Sequence, residues 1–321
     1  MISLRRFRLF HLVILLGAGC FGHAFAQQPQ VSIKPLRPSQ KAIVMQTVGV
    51  TDITITYSRP AVKGRTIFAD APPEMEARHP GEATLDNQNE RKPGEPIEPY
   101  NHVWRAGANE ATMFQVSDDV LINGQPLKAG TYSMHAKPGK DEWTIIFNSD
   151  AGQWGSFTYD NKKDVLRVKT KPQSASENQE WLIYTFDPVT ENSATVNLRW
   201  EKVRVPFTVE VKDVKAAWRA HADALMAANP NNQTLPLQVA QTYFRDKNWD
   251  EALKFVDQSI KIKETFSNLS WKANILWNAG KKEEAAAVAD AAIAKGKADN
   301  VDATTISNFE KIVAERKSGK M

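Results

Sequence analysis

The chain has 321 residues, 42% of them hydrophobic and 24% charged, which is enough for one large or two ordinary domains with substantial cores. Its formal charge of +4 overstates its basic character, because residues 1–26 hold Arg5, Arg6 and Arg8 and no acid, leaving 38 basic against 37 acidic residues beyond them. Without a basic stripe, no nucleic-acid partner is expected.

Those three arginines precede an apolar run over residues 9–22, and Ala24 and Ala26 follow it. This is the pattern of a secretory signal peptide over residues 1–26, with Gln27 as the expected mature start. The run is shorter than the roughly 20 residues that span a bilayer, and no later stretch approaches that length. A competing reading attaches lipid at Cys20, although Gly17 stands where a lipoprotein site usually has a large aliphatic residue. Cys20 is the only cysteine, so cleavage after Ala26 leaves no thiol. Disulfides, cysteine nucleophiles, thiolate metal sites and dithiol redox chemistry then drop out together. The expected location is exported, periplasmic or extracellular.

Over residues 31–211 the chain reads in period two, the mark of half-buried strands. Ile53, Ile55 and Tyr57 alternate with Thr54 and Thr56. Further runs fall at 113–116, 120–122, 131–136, 143–148, 165–170, 181–186, 194–200 and 203–211. Asn123-Gly124 and Pro138-Gly139-Lys140-Asp141 are turn signals, since glycine and asparagine accept positive φ. Some nine or ten short strands predict an all-β, sandwich-like domain. Residues 70–98 interrupt the rhythm with five prolines, many acids and almost no large apolar side chain. They read as a surface insertion that is disordered or loosely docked.

After Asp213 the period changes to that of helices. A linking helix is expected over 214–228, stopped by Asn229-Pro230. Ala240, Tyr243, Ala252 and Val256 then follow tetratricopeptide spacing, and Ala273, Leu276, Ala285 and Ala289 repeat it 33 residues on. A last helix over about 303–314 would cap the stack. The fold class is therefore α+β multidomain: an N-terminal all-β sandwich-like domain, then a C-terminal tetratricopeptide-like helical domain over 214–317.

Several motifs occur in one order: Tyr57-Ser58-Arg59-Pro60-Ala61-Val62-Lys63-Gly64-Arg65, Trp104-Arg105-Ala106-Gly107-Ala108-Asn109-Glu110-Ala111-Thr112, Ala129-Gly130-Thr131-Tyr132, Glu142-Trp143-Thr144-Ile145-Ile146-Phe147 and Gln153-Trp154-Gly155. Together they resemble the exported family called domain of unknown function 2911, over about residues 31–211. The resemblance implies a secreted or periplasmic β-rich domain, sometimes followed by helical repeats, with no established activity. It also implies a shorter connection in relatives than residues 70–98 make here.

The Trp104 block is the densest concentration of chemistry. With Arg59 and Arg65 it nominates Arg59, Arg65, Trp104, Arg105, Asn109, Glu110 and Thr112 as ligand-binding candidates, because two arginines and an amide can grip a carboxylate, a phosphate or sugar hydroxyls. The alternative is structural, with Arg105 paired to Glu110 and Gly107 and Asn109 making a tight bend. Both readings stay open. Trp143 and Trp181 are expected in the core and Trp154 at the surface. Ser133 and His135 share one strand face, which supplies neither the orienting group nor the oxyanion donors of acyl transfer. His79, His102, His135 and His221 lack ligand spacing, and Asp118, Asp119, Asp160 and Asp164 match no calcium loop, so no metal is expected. The glycines form neither a dinucleotide nor a phosphate loop, so no cofactor is expected either.

The leading expectation is a binding module for a small polar or anionic ligand, with a helical-repeat domain that engages a protein or peptide. The alternatives are a hydrolase of envelope or extracellular material using Glu110 or an Asp as acid/base, and an assembly scaffold.

Overall fold

The computed structural model describes residues 36–85 and 92–319. The expected signal segment and Cys20 lie outside the described residues. Ten strands form two antiparallel sheets. The first has six strands in the order β1 (Gln40–Val48), β2 (Thr51–Arg59), β3 (Thr112–Val116), β6 (Gly130–Lys137), β7 (Trp143–Asn148) and β8 (Asp164–Thr170). The second runs β5 (Gln125–Leu127), β4 (Val120–Ile122), β10 (Ser193–Glu210), β9 (Gln173–Val189).

The apolar members of each alternating strand meet between the sheets. Ile53, Ile55 and Phe114 from the first share one core with Ile122, Val196, Leu198 and Val205 from the second. Phe207 crosses the gap to Phe114 and Phe147, with ring centroids 6.3 and 6.1 Å apart. The sandwich expected from the strand pattern is present. Its most extensive departure lies in β9 and β10, where the runs 194–200 and 203–211 fuse into a single strand broken by bulges. Strand β1 was not foreseen because Ala42-Ile43-Val44-Met45 is a continuous apolar run. As an edge strand it leaves Ile43 and Met45 exposed. Trp181 was expected in the core and is 38% exposed. The core-facing positions of β9 fall on Leu182 and Tyr184, one residue out of phase with it.

The described parts of the 70–98 insertion are docked rather than loose. A short helix, α1 (Pro73–Arg78), buries Met75, and Leu85 is also buried. The backbone of 97–100 returns to pair with 66–69 through Ile97 N to Thr66 O, Glu98 N to Ile67 O and Tyr100 N to Ala69 O. Its acids find cations, since Glu82 meets both Lys137 and Arg167 while Glu95 meets Arg78. Average composition hid these two apolar anchors and the paired charges.

Six helices follow: α2 (Val214–Ala228), α3 (Thr234–Arg245), α4 (Trp249–Ile262), α5 (Phe266–Asn278), α6 (Lys282–Ala298) and α7 (Ala303–Lys317). Helices α3 and α4 form one hairpin, and α5 and α6 a second. Ala240, Ala252 and Val256 are fully buried in the first, and Ala273, Ala285 and Ala289 in the second, at the 33-residue interval. Lys247 takes φ +57° in the first turn, where Gly280 takes +81° in the second. The next residue's amide then donates to the same place, Asn248 N to Tyr243 O and Lys281 N to Leu276 O. The two turns share a left-handed helix end.

Helix α2 joins the halves. Val214 and Ala217 pack on the sandwich core, whereas Trp218, Ala222 and Met226 pack on the first helical hairpin. A Cβ on Gly49, in the β1–β2 turn, would lie 2.3 Å from Val214 Cγ1, so glycine is what admits the helix there. His221 meets Asp118 at 2.6 Å.

Candidate functional site

The Trp104–Thr112 candidates hydrogen-bond to carbonyls of the chain itself. Trp104 is in the core, with its indole stacked on Trp200 at 5.8 Å and edge-on to Trp143 and Phe68. Its Nε1 donates to Gly107 O at 2.9 Å, and its backbone bridges Ala136 in both directions. Thr112 is also buried, and its hydroxyl donates to Ala106 O at 2.9 Å, the carbonyl that Tyr184 reaches at 2.8 Å. Neither side chain faces solvent, which removes both from a ligand-contacting role. Arg59 Nε donates to Leu182 O at 2.8 Å, and Arg65 donates to Ala61 O and Val62 O at 2.6 and 3.1 Å. Both arginines thus pin their own chain's carbonyls.

The remaining three form a turn. Ala106 and Asn109 take φ +52° and +60°, and the Asn109 amide donates to Ser39 O at 2.9 Å. Arg105 Nη1 donates to Asn109 O at 2.9 Å. Glu110 is half-buried and its backbone bridges Trp154. Around that bridge, Ala111 N donates to Gln153 O and Gly155 N to Asn109 O. The structure therefore brings the Trp104 block against the Gln153-Trp154-Gly155 segment. Gly155 is required at the contact, since it has φ +62° and a Cβ there would lie 3.0 Å from Arg105 Nη1. Trp154, as expected, is exposed, at 49%.

Beneath the 149–160 loop lies a polar cluster that the sequence only half disclosed. Ser133 and His135 do share the outward face of β6, and the loop covers them completely. His135 is bracketed, with Nε2 3.1 Å from Ser133 Oγ and Nδ1 3.0 Å from Ser156 Oγ. Burial pulls its imidazole down to about 4, with Asp164 and Asp150 opposing and Arg105 reinforcing. Next to it, Tyr159 donates to Asp164 at 2.8 Å, and Arg167 binds the same carboxylate oxygen at 2.7 Å. Burial first, and then Asp164, hold the Tyr159 phenol above its usual range. Burial works against the Arg167 charge, but hydrogen bonds to Asp164 and Glu82 outweigh it and raise its pKa. The cluster is a saturated network that ties the loop to the sheet. Of the other acids considered, Asp118 pairs with His221, Asp119 with Lys128, and Asp160 caps the turn at Lys162.

A family model described as a protein of unknown function (DUF2911) matches residues 39–78 and 86–209. The chain belongs to this family. The DUF2911 match reaches all ten strands, the Trp104 turn and the 149–160 loop, and it omits residues 79–85. The unmatched residues 79–85 lie within the 70–98 segment. No curated protein and no solved structure matches the chain. Because the match ends at residue 209, the tetratricopeptide likeness rests on spacing and packing alone.

Among the concavities of the described residues are two that residue reading missed. One, of about 630 Å³, is lined by α2, α3 and α4, including Arg219, Asp223, Met226, Lys254, Phe255 and Lys261. Arg219 lies 4.3 Å over the Phe255 ring and clasps Asp223 with two 2.9 Å contacts. The other, of about 330 Å³, sits on the outward face of β9 and β10 within the family-matched region. Its signal was available: the outward positions of 194–200 carry Thr195, Asn197 and Arg199, and residues 173–179 are a small polar run inside a strand.

Proposed function

We propose that this DUF2911 protein is an exported binding protein whose helical array takes an extended, acidic segment of a partner protein, with the β domain as its rigid body. The observation that carries this reading is the groove of about 630 Å³ along α2 and α4. Arg219, Lys254 and Lys261 line it with Asp223, and Glu251 meets Lys254 at 3.1 Å and Arg219 at 3.6 Å, which leaves one cation in excess, while Met226, Phe255, Ile262 and two prolines supply apolar surface. A partner segment that alternates acids with apolar side chains would complement both. The buried small residues recurring every 33 positions support stacked, tetratricopeptide-like hairpins, an architecture that presents such grooves. Export is supported by Arg5, Arg6, Arg8, the apolar run and Ala24-Phe25-Ala26. Mass spectrometry of the exported protein should find Gln27 at its N-terminus, whereas a lipid-modified Cys20 would replace the soluble form with an anchored one.

The groove is tested by fluorescence anisotropy with labelled decapeptides that alternate glutamate and leucine, using the chain from Gln27 onward. Binding should weaken as salt rises. It should fall at least tenfold in the K254E/K261E variant, whose thermal midpoint stays near that of the parent because both side chains are largely solvated. Equal binding by parent and variant, or none by the parent, would overturn the reading.

A further inference from the structure

The pairing of β9 with β10 slips. Gln173 faces Arg204 and Ser174 faces Val203, but the next partner pair is Gln179 with Glu201, followed by Ile183 with Arg199. Between the first two stations and the third, β9 advances five residues while β10 advances two. Glu201, at the slip, holds φ +53°, a conformation that costs a non-glycine residue energy. Bulges of this kind interrupt the ladder and re-aim side chains, and they recur next to binding and active sites. Here residues 174–177 make one wall of the pocket, and Asn197, Arg199 and Arg204 make another.

Asn197 is the anchor of that wall. It is 2% exposed although it faces away from the sandwich core, and its amide donates to Asp187 O at 2.7 Å and Thr195 O at 3.3 Å. Its carbonyl accepts from Arg204 Nε at 2.7 Å. That bond fixes the guanidinium by its inner nitrogen, and the two terminal nitrogens have no protein acceptor among the described residues. Arg199, half-buried on the same face, has none either. Partly desolvated guanidiniums that form no ion pair among the described residues are poised for an external anion, and their planar fork matches a carboxylate.

Carboxylates at the rim narrow the choice. Glu177 and Asp187 also line the pocket, beside Ser174, Ser176 and Thr185. Two acids repel a multiply charged anion and accept hydrogen bonds from hydroxyls. We infer that the β9–β10 pocket is a binding site for a hydroxylated monocarboxylate of sugar-acid size, its carboxylate held by Arg199 and Arg204 and its hydroxyls by Glu177, Asp187 and the three side-chain hydroxyls. A volume of about 330 Å³ accommodates one such ring with water. The site is separate from the helical groove, so peptide capture can fail while this holds.

The test is calorimetric titration of the chain from Gln27 with glucuronate, glucose, serine and inorganic phosphate. Glucuronate should bind in preference to the other three, and more weakly at higher salt. In R199A/R204A the affinity should drop at least tenfold with an unchanged far-ultraviolet spectrum. R204K, which keeps the charge and loses the fork, should fall between. No glucuronate binding by the parent, or equal binding by the double variant, overturns the site. Tighter binding of phosphate, glucose or serine overturns the ligand class.

Discussion

The Trp104–Thr112 turn and the β9–β10 bulge are both arginine-bearing irregularities of one sandwich, and they dispose of their polar groups in opposite ways. In the turn, Trp104 Nε1, Thr112 Oγ1, Arg105 Nη1 and the Asn109 amide each donate to a carbonyl of the chain itself. In the bulge, Asn197 accepts one nitrogen of Arg204, and the rest of that guanidinium and all of Arg199 face a cavity. Polar density is common to both, and what the second adds is a pair of guanidiniums lining a concavity. A backbone bent sharply enough to need positive φ leaves carbonyls that something must satisfy, and nearby arginines and amides are what satisfy them.

The comparison is open to attack at its heaviest contact first. Trp104→Ala removes the ring that packs on Trp200, Trp143 and Phe68, and a buried tryptophan of this kind is worth about 3–5 kcal/mol. Urea unfolding should show a free energy lowered by that amount, through a lower midpoint at unchanged slope, and a loss under about 1 kcal/mol would return the block to the ligand-binding reading. Next is the pH response of the network beneath the 149–160 loop. The folded pKa of His135 lies near 4 and its ordinary value is 6.5, so below 6.5 the unfolded chain gains a proton that the folded one refuses. Its contribution is complete above 6.5 and is lost as pH falls toward 4, on the order of 3 kcal/mol in all. The parent should lose more stability than His135→Gln between pH 7 and 4.5, and parallel curves would mean that the imidazole is not held neutral. Smallest is the R199A/R204A pair, whose unfolding free energy should fall by about 1 kcal/mol, because the hydrogen bond to the buried Asn197 carbonyl goes with Arg204, while glucuronate binding is lost. A large stability cost there would erase the contrast with the turn.

Much of the architecture was legible because it depends on period. Strands such as β7 and helices such as α2 match their apolar alternation to the residue, and the fusion of two expected runs into β10 did not change which face each residue takes. What escaped depends on pairs of segments. The surplus of β9 over β10 exists only when both strands are in register, and β1 has no alternation to show because its outward face carries Ile43 and Met45. The candidate site was half legible for the same reason. Composition flagged the Trp104 block as exceptional, but whether Arg59 meets a ligand or Leu182 O is decided by a strand 123 positions away. Arg199 and Arg204 carry no signal of their own in the sequence, since nothing local shows that Asn197 fixes one of them.

Helix α2 serves two cores at once. Its first turn, at Val214 and Ala217, closes the sandwich, and its later turns, at Trp218, Ala222 and Met226, close the helical hairpin. As a unit of inheritance or of engineering, the helical array therefore cannot be cut away where strand gives way to helix at Asp213 without uncovering the sandwich. The seam at which one half could be exchanged for another lies a helix later, at the Asn229-Pro230 break, and a graft made there would keep α2 as the adaptor.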